Sequence, residues 1–325
     1  MKKSVKITCI VAASCIVLGL LILLGVSVKF GFDYRKLDTT TVEVQTYAVE
    51  QPFENIDVCS LENDVTFSLA DDGQCKVVCT QTERKTCTVS VENGTLTVAQ
   101  NDIRRWYERF GIYWGAGDTP EMKIEIFLPS QEYCDLSVST QSGNIWVDEP
   151  FLFETADLSA SSGEIYFGTY AERLTVYSTS GDIACACVGN TASLKVESNS
   201  GDIELGRIAV ADFSVKTTSG NIDLYEMYVD GNADLESNSG KLHLEIFAAR
   251  SLTVATTSGD VEFVDSDADE LDIRSNSGCI TGDLRTAKNF EVSTTSGEVD
   301  VSYSKDSAGK CYVETTSGDI TLHTP

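Results

Sequence analysis

The chain has 325 residues, 42% of them hydrophobic, with 50 acidic against 24 basic side chains and a formal net charge of −26. That length holds one long domain or two ordinary ones, and so acidic a surface repels nucleic acid and anionic lipid headgroups. Eleven cysteines without a Cys-x-x-Cys pair give neither a tidy disulfide framework nor zinc-ligand spacing.

Residues 1–6 form a short lysine-bearing tail, and residues 7–28, ITCIVAASCIVLGLLILLGVSV, are uncharged and mostly apolar. As a helix rising about 1.5 Å per residue this run spans about 33 Å, the thickness of a bilayer core. A secretory apolar core is shorter, about 7–15 residues, so the run reads as an uncleaved transmembrane signal-anchor. Cleavage after Ser27 and lipid attachment at Cys15 are the alternatives. Lysines flank both ends, but a tail of six residues is more easily retained than translocated. The expected location is therefore the cell membrane, single-pass, with the C-terminal part outside the cytoplasm. Residues 29–50 read as a juxtamembrane linker.

From residue 51 the pattern changes to short alternating runs. Residues 51–130 read as divergent N-terminal coils forming a cap. Ile56, Val58, Asn63, Val65 and Phe67 fit one coil, and Cys87, Val89, Gly94, Leu96 and Val98 fit another. Residues 101–120, NDIRRWYERFGIYWGAGDTP, interrupt the pattern with Arg104, Arg105, Trp106, Tyr107, Phe110, Tyr113 and Trp114. Aromatic and arginine side chains are enriched at binding hot spots and membrane interfaces, so this excursion is a candidate partner or lipid contact. The competing reading is a lid folded back over the N-terminal core.

Residues 131–325 repeat a Ser-Gly corner at Gly143, Gly163, Gly181, Gly201, Gly220, Gly240, Gly259, Gly278, Gly297 and Gly318, with gaps of 18 to 21 residues. Five positions before each glycine stands Val, Leu or Ile, and two positions after it stands Ile, Leu or Val. Apolar residues at −7, −5, +2 and +4 with polar residues between them describe strands of period two meeting at the corner. One coil cannot bury its own aliphatic row, whereas coils stacked about 4.8 Å apart make a continuous core. The expected fold is all-β, a single-stranded parallel β-solenoid (β-helix) with coils of about 19–20 residues, preceded by one transmembrane helix. Glycine at the corner suits a sharp turn, and the invariant Ser before it reads as an inward hydroxyl bonding the turn. The last coil ends two residues past His323, which leaves its strand bare or paired with a partner.

Catalytic signals are sparse. His243 and His323 lie in different coils, and no nucleophile, base and orienting group fall together. Outward carboxylate pairs, Asp202 with Glu204, Asp260 with Glu262 and Glu298 with Asp300, resemble those of polysaccharide-cleaving β-helix enzymes. Acidic residues also recur one position after the corner glycine, at Glu164, Asp182, Asp202, Asp260, Glu298 and Asp319. Stacked oxygens of this kind suit weak calcium binding, although no calcium-roll nonapeptide is present; Asp and Asn also simply favour turns. No catalytic, cofactor or metal residue is assigned.

The N-terminal anchor, the FENIDV opening, the IEIFLP strand and the tandem L-x-V-x-(S/T)-x-S-G-(D/N)-I coils together resemble the family catalogued as "putative adhesin", which includes LiaG-like envelope-stress proteins of Gram-positive bacteria. That resemblance covers about residues 50–325. It implies a β-solenoid and brings no catalytic residue with it. The expected function is non-enzymatic: an envelope-facing adhesin, scaffold or stress accessory. A sensor or decoy for cationic envelope-active peptides is the second reading, and a carbohydrate-active enzyme the third. Expected partners are the membrane, other envelope proteins or cationic peptides, and no nucleic acid.

Overall fold

The computed structural model describes residues 3–29, 41–104, 121–186, 190–302 and 309–325. One helix, Lys3–Lys29, contains the entire apolar run and is long and apolar enough to cross a membrane. Val11, Leu18 and Ile22 on it are all more than half exposed, as suits side chains made for lipid. Everything after it is strand and turn, joined into one sheet of 23 strands.

The sheet is a solenoid with its rungs in register. Ile165 pairs with Ile145 on one side and Ile183 on the other, and Leu158 lies between Val138 and Val176. The two aliphatic columns flanking the Ser-Gly corner face inward: Val254 and Val261 are both 0% exposed. In the four longest strands, Ile203–Thr217, Ile222–Ser237, Leu242–Thr256 and Val261–Ser275, the chain turns twice more without breaking its ladder. The first extra corner is one left-handed residue, at Arg207, Glu226, Ile246 and Asp265 in successive rungs. A non-glycine residue there costs about 1–3 kcal/mol, which the ladder on both sides holds in place. The second is a slip of the alternation, as at Ala211 and Asp212, which are both exposed before Phe213 turns inward again. Each of these rungs therefore has three inward-facing segments.

Space, and not backbone angle, requires the corner glycines. None of the ten has a positive φ, but a Cβ on Gly163 would fall 1.8 Å from the carbonyl oxygen of Gly143, and one on Gly240 1.7 Å from that of Gly220. Each corner rests directly on the one below. Gly282, the one position where the +4 column lacks an apolar residue, has φ +143° and lies against the backbone of Phe263, with a register shift beside it. Only glycine passes so close there.

Both ends of the rod depart from chain order. The strand Asn55–Ser60 pairs with Leu136–Thr140 on one side and with residues 95–99 on the other. Asp64–Leu69 likewise lies between Ile145–Val147 and Lys123–Leu128. Residues 95–128 thus form the rung outside residues 55–69, although they follow it in sequence. Antiparallel strands cover that outer rung. Lys85–Glu92 pairs with Thr95–Asp102, and Cys75–Thr82 pairs with Lys123–Leu128 and Val42–Val49. Residues 85–102 are accordingly a hairpin turning at Asn93 (φ 53°) and Gly94 (φ 78°), and not the second N-terminal coil that the alternation suggested. A two-residue Asn-Gly turn joins antiparallel strands of the same period as a coil.

The C-terminal end is also interleaved. Gly309–Thr315 pairs with Val261–Ser275 on one side and with Lys288–Thr294 on the other, and Ile320–His323 lies between Ile280–Leu284 and Val299–Val301. The last strand is neither bare nor reserved for a partner. The outermost rung is residues 288–301, where Val299 is 43% exposed.

Candidate functional site

The repeated corner carries three sets of polar groups, each fixed by the turn. Three residues before the glycine, a buried Ser or Thr accepts a hydrogen bond from the glycine N–H: Thr140 from Gly143 at 2.9 Å, Ser178 from Gly181 at 2.9 Å and Ser275 from Gly278 at 2.8 Å. This is the inward hydroxyl. The invariant Ser immediately before the glycine points outward instead, and its backbone N–H bonds the neighbouring rung, as from Ser258 to the Asn238 carbonyl at 3.0 Å. With the residue before it, this Ser forms an exposed polar ridge along the rod.

One residue after the glycine, Asp or Asn accepts the backbone N–H of the equivalent residue in the next rung. Asp64 takes it from Asn144 at 2.7 Å, Asp182 from Asp202 at 2.8 Å, Asp202 from Asn221 at 2.7 Å and Asp260 from Cys279 at 2.9 Å. The ladder continues at Asn144, Asn221 and Asp319. Among the described residues it is missing where Glu164, Lys241 or Cys279 occupies the position. A longer or non-accepting side chain does not reach the N–H that Asp and Asn reach. The recurrent carboxylate is thus a hydrogen-bond acceptor for the turn. Among the described residues no three His, Cys, Asp or Glu side chains converge to hold a metal ion.

The outward acidic pairs are similarly engaged. Glu262 binds Lys241 and stands 3.0 Å from the His243 ring, while the Glu298 N–H donates to Asp319. Asp202 and Asp260 serve the ladder. Lys241 is the main cause holding the Glu262 carboxyl below its ordinary range.

Of the aromatic excursion, Arg105, Trp106, Tyr107, Phe110, Tyr113 and Trp114 lie outside the described residues. Arg104 is described: its guanidinium binds Asp102 at 2.8 Å and Glu62 at 2.9 Å. Those carboxylates push its pKa up, the hydrogen bond to Asp102 most of all. The excursion leaves and re-enters the solenoid between Asp102 and Lys123, at the corner of the outer N-terminal rung. Below it, Asn63 replaces the corner glycine and is fully buried. Its amide donates to the Thr80 carbonyl at 2.9 Å and accepts from Gln100 at 2.7 Å.

Cys75, Cys79, Cys87, Cys185 and Cys311 are buried thiols at core positions, while Cys59 is exposed. Burial pushes Cys75 and Cys311 up to about 12.

Sequence reasoning passed over a cluster outside the corner. Trp146, at +3 from Gly143, is 47% exposed and stacks on Tyr166 of the next rung, with ring centroids 4.3 Å apart and planes 19° apart. Two further rungs on, the Tyr225 ring lies over Gly206, whose Cβ would fall 1.9 Å from it. The signal was available: +3 and +5 are outward positions of the repeat, elsewhere filled by small or polar residues.

Comparison with known proteins adds the following. A solved structure described as a "putative lipid binding protein" from Parabacteroides distasonis ATCC 8503 is 15% identical at a TM-score of 0.46, over 87% of this chain and 97% of that one. A "putative adhesin" from Bacteroides fragilis NCTC 9343 is 15% identical at 0.32, over 87% and 97%. Another, from Parabacteroides merdae ATCC 43184, is 11% identical at 0.35, over 88% and 96%. Identities this low bear on the path of the chain alone. No curated protein matches. The family model described as Toastrack DUF4097 matches residues 53–247 and 192–325, and the chain belongs to that family.

Proposed function

We propose that the protein is a non-enzymatic, envelope-facing solenoid, held at the cell membrane as a single-pass protein by residues 7–28, with its C-terminal part outside the cytoplasm. It acts as an adhesin, scaffold or envelope-stress accessory. The observation that carries this reading is the use of the repeated polar groups. The corner carboxylates and buried hydroxyls are hydrogen-bonded within the rod, which leaves a long rigid surface better suited to contact than to turnover. Protease treatment of intact cells tests the topology. Cleavage after residue 40 without lysis is the expected result, and full protection of residues 40–325 until lysis would refute it.

Charge favours a second reading, capture of cationic envelope-active peptides. Beyond residue 37 the chain carries 49 acidic and 18 basic side chains. Such capture is electrostatic and collapses as salt rises, whereas adhesion through shape and stacking persists.

A further inference from the structure

The inner side of the wall at Trp146 and Tyr166 is already closed. Ile145, Val147 and Phe167 are 0% exposed and Ile165 is 1% exposed, so the two rings outside them add nothing to core closure. A stacked pair on neighbouring rungs supports a sheet by a few tenths of a kcal/mol up to about 1 kcal/mol, and burying both rings elsewhere would give more. Their exposure is what calls for an explanation.

The surroundings are built to keep the rings flat. A Cβ on Gly168 would meet the Tyr166 ring at 2.9 Å and the Asp148 carboxylate at 2.5 Å, so glycine there lets Tyr166 lie down beside Asp148. Gly206 does the same for Tyr225. Between the two lies the rung of Ala184 and Ala186, both half-buried and small. The result is a shallow trough with aromatic walls and a low floor. Tyr166 and Tyr225 stand on rungs about 14 Å apart at the strand spacing. The Tyr166 hydroxyl is raised by burial first and by Asp148 next, and it lies within electrostatic range of Tyr225 and Arg207. Glu204 and Asp223 project from the outward side of the intervening rungs.

The chemistry of the trough selects its occupant. Carboxylates along its side make it poor for an acyl chain, which cannot solvate them. Exposed Arg207 at its rim works against a polycation. Flat aromatic faces together with both hydrogen-bond donors and acceptors suit a ring with C–H faces and a rim of hydroxyls. We infer that Trp146, Tyr166 and Tyr225 form a binding site for an extended β-1,4-linked pyranosyl glycan lying along the rod, with Arg207, Glu204 and Asp223 bonding its hydroxyls. This deepens the envelope-facing reading, and it rests on that reading only for access to such a glycan.

The test uses the full chain in a polyoxyethylene detergent, which contains no sugar, and a soluble β-1,4-linked N-acetylglucosamine oligomer, with binding followed by calorimetry. Saturable binding is expected, little changed when salt rises from about 0.1 to about 1 M. Trp146→Ala and Tyr225→Ala should each weaken it about tenfold with thermal unfolding unchanged. Tyr177→Ala, an exposed ring elsewhere on the rod, should leave it unaltered. Gly206→Ala, which forces the Tyr225 ring off its seat, should weaken binding without touching the glycan itself. Absence of binding, or equal loss in Tyr177→Ala, overturns the site. So does recognition of an Arg- and Lys-rich peptide or of phospholipid vesicles through these rings in place of the sugar. The assay reads the site on purified protein, so its failure is separable from a failure of the topology, which protease treatment of cells reads.

Discussion

Gly318 lies on Gly278, forty positions earlier in the chain: a Cβ added to Gly318 would be 2.0 Å from the Gly278 carbonyl oxygen, and one on Gly297 would be 2.0 Å from that of Gly318. The last rung in sequence is therefore the second from the end in space. Lys288 helps hold the outermost rung, its buried ammonium 2.7 Å from Asp267 and 2.7 Å from the Thr286 hydroxyl. Removing one partner of a buried pair leaves the other charge uncompensated, typically at about 3–5 kcal/mol. Lys288→Met should accordingly speed hydrogen exchange across residues 288–301 while residues 203–256 keep their protection. Equal exchange in both segments would show that the ion pair does not hold that end.

Substitution at a central corner should cost far more than at an open turn. Gly240→Ala places a methyl 1.7 Å from a backbone oxygen that has no room to move, so a loss of about 3 kcal/mol or more is expected by chemical denaturation. Gly73→Ala meets only the strain of φ +69°, with nothing within 4 Å, and should cost about 1 kcal/mol.

The corner ladder predicts an ordering that charge alone does not. Asp202 accepts the Asn221 N–H at 2.7 Å. Asp202→Asn keeps the acceptor and should be nearly neutral, while Asp202→Ala should lose about 1 kcal/mol. Asp202→Glu keeps the charge yet should behave like alanine, because Glu164 makes no such bond among the described residues. Denaturation midpoints of the three variants check this. Had calcium binding been the purpose of the column, the asparagine variant would be the damaging one.

Glu62 gives the N-terminal cap its acid sensitivity. Burial alone would raise its carboxyl, but Lys85 and Arg104 outweigh burial and hold it below the ordinary value of 4.5. A carboxyl lower in the folded state than in the unfolded one stabilises above the unfolded value, and that contribution fades as pH falls through the folded value. Hydrogen exchange at residues 95–104 should therefore rise below about pH 4.5 in the native chain. In Glu62→Gln, exchange should be faster at neutral pH and respond less to acid.

Thiol chemistry should follow position in the wall. Cys75 and Cys311, buried and pushed up to about 12, should resist alkylation near neutral pH, while exposed Cys59 reacts. Mass spectrometry after brief labelling of native protein reads this directly.

The middle of the rod was legible because its signal is redundant. Val254, Val261 and their equivalents recur so often that the frame survives any one exception, and Gly282 proves to be an exception with a cause. The ends were not legible for the same reason. Every corner presents the same Ser-Gly and nearly the same aliphatic neighbours, so local pattern cannot say which corner rests on which. Nothing in residues 309–325 marks them as an insert. The hairpin at Asn93–Gly94 was misread because alternation has the same period in parallel and antiparallel strands, and the decisive Asn-Gly dipeptide was taken for a variant corner. The outward Ser was assigned inward by extending the alternation one step too far; the chain has already begun its turn at the residue before it. The trough at Trp146 was missed because the sequence search looked for breaks in the repeat, and this site is made within it.

Interleaving at the C-terminal end has a consequence for synthesis. A polypeptide leaving the ribosome has residues 288–301 in hand before residues 309–325 exist, and the vacant platform over residues 261–284 matches either segment. The earlier segment can settle there first, in a register nearly as good, and must lift off before the later one can enter. Completion of the rod is then a contest between two near-identical tenants for one place, decided only after the final codon is read.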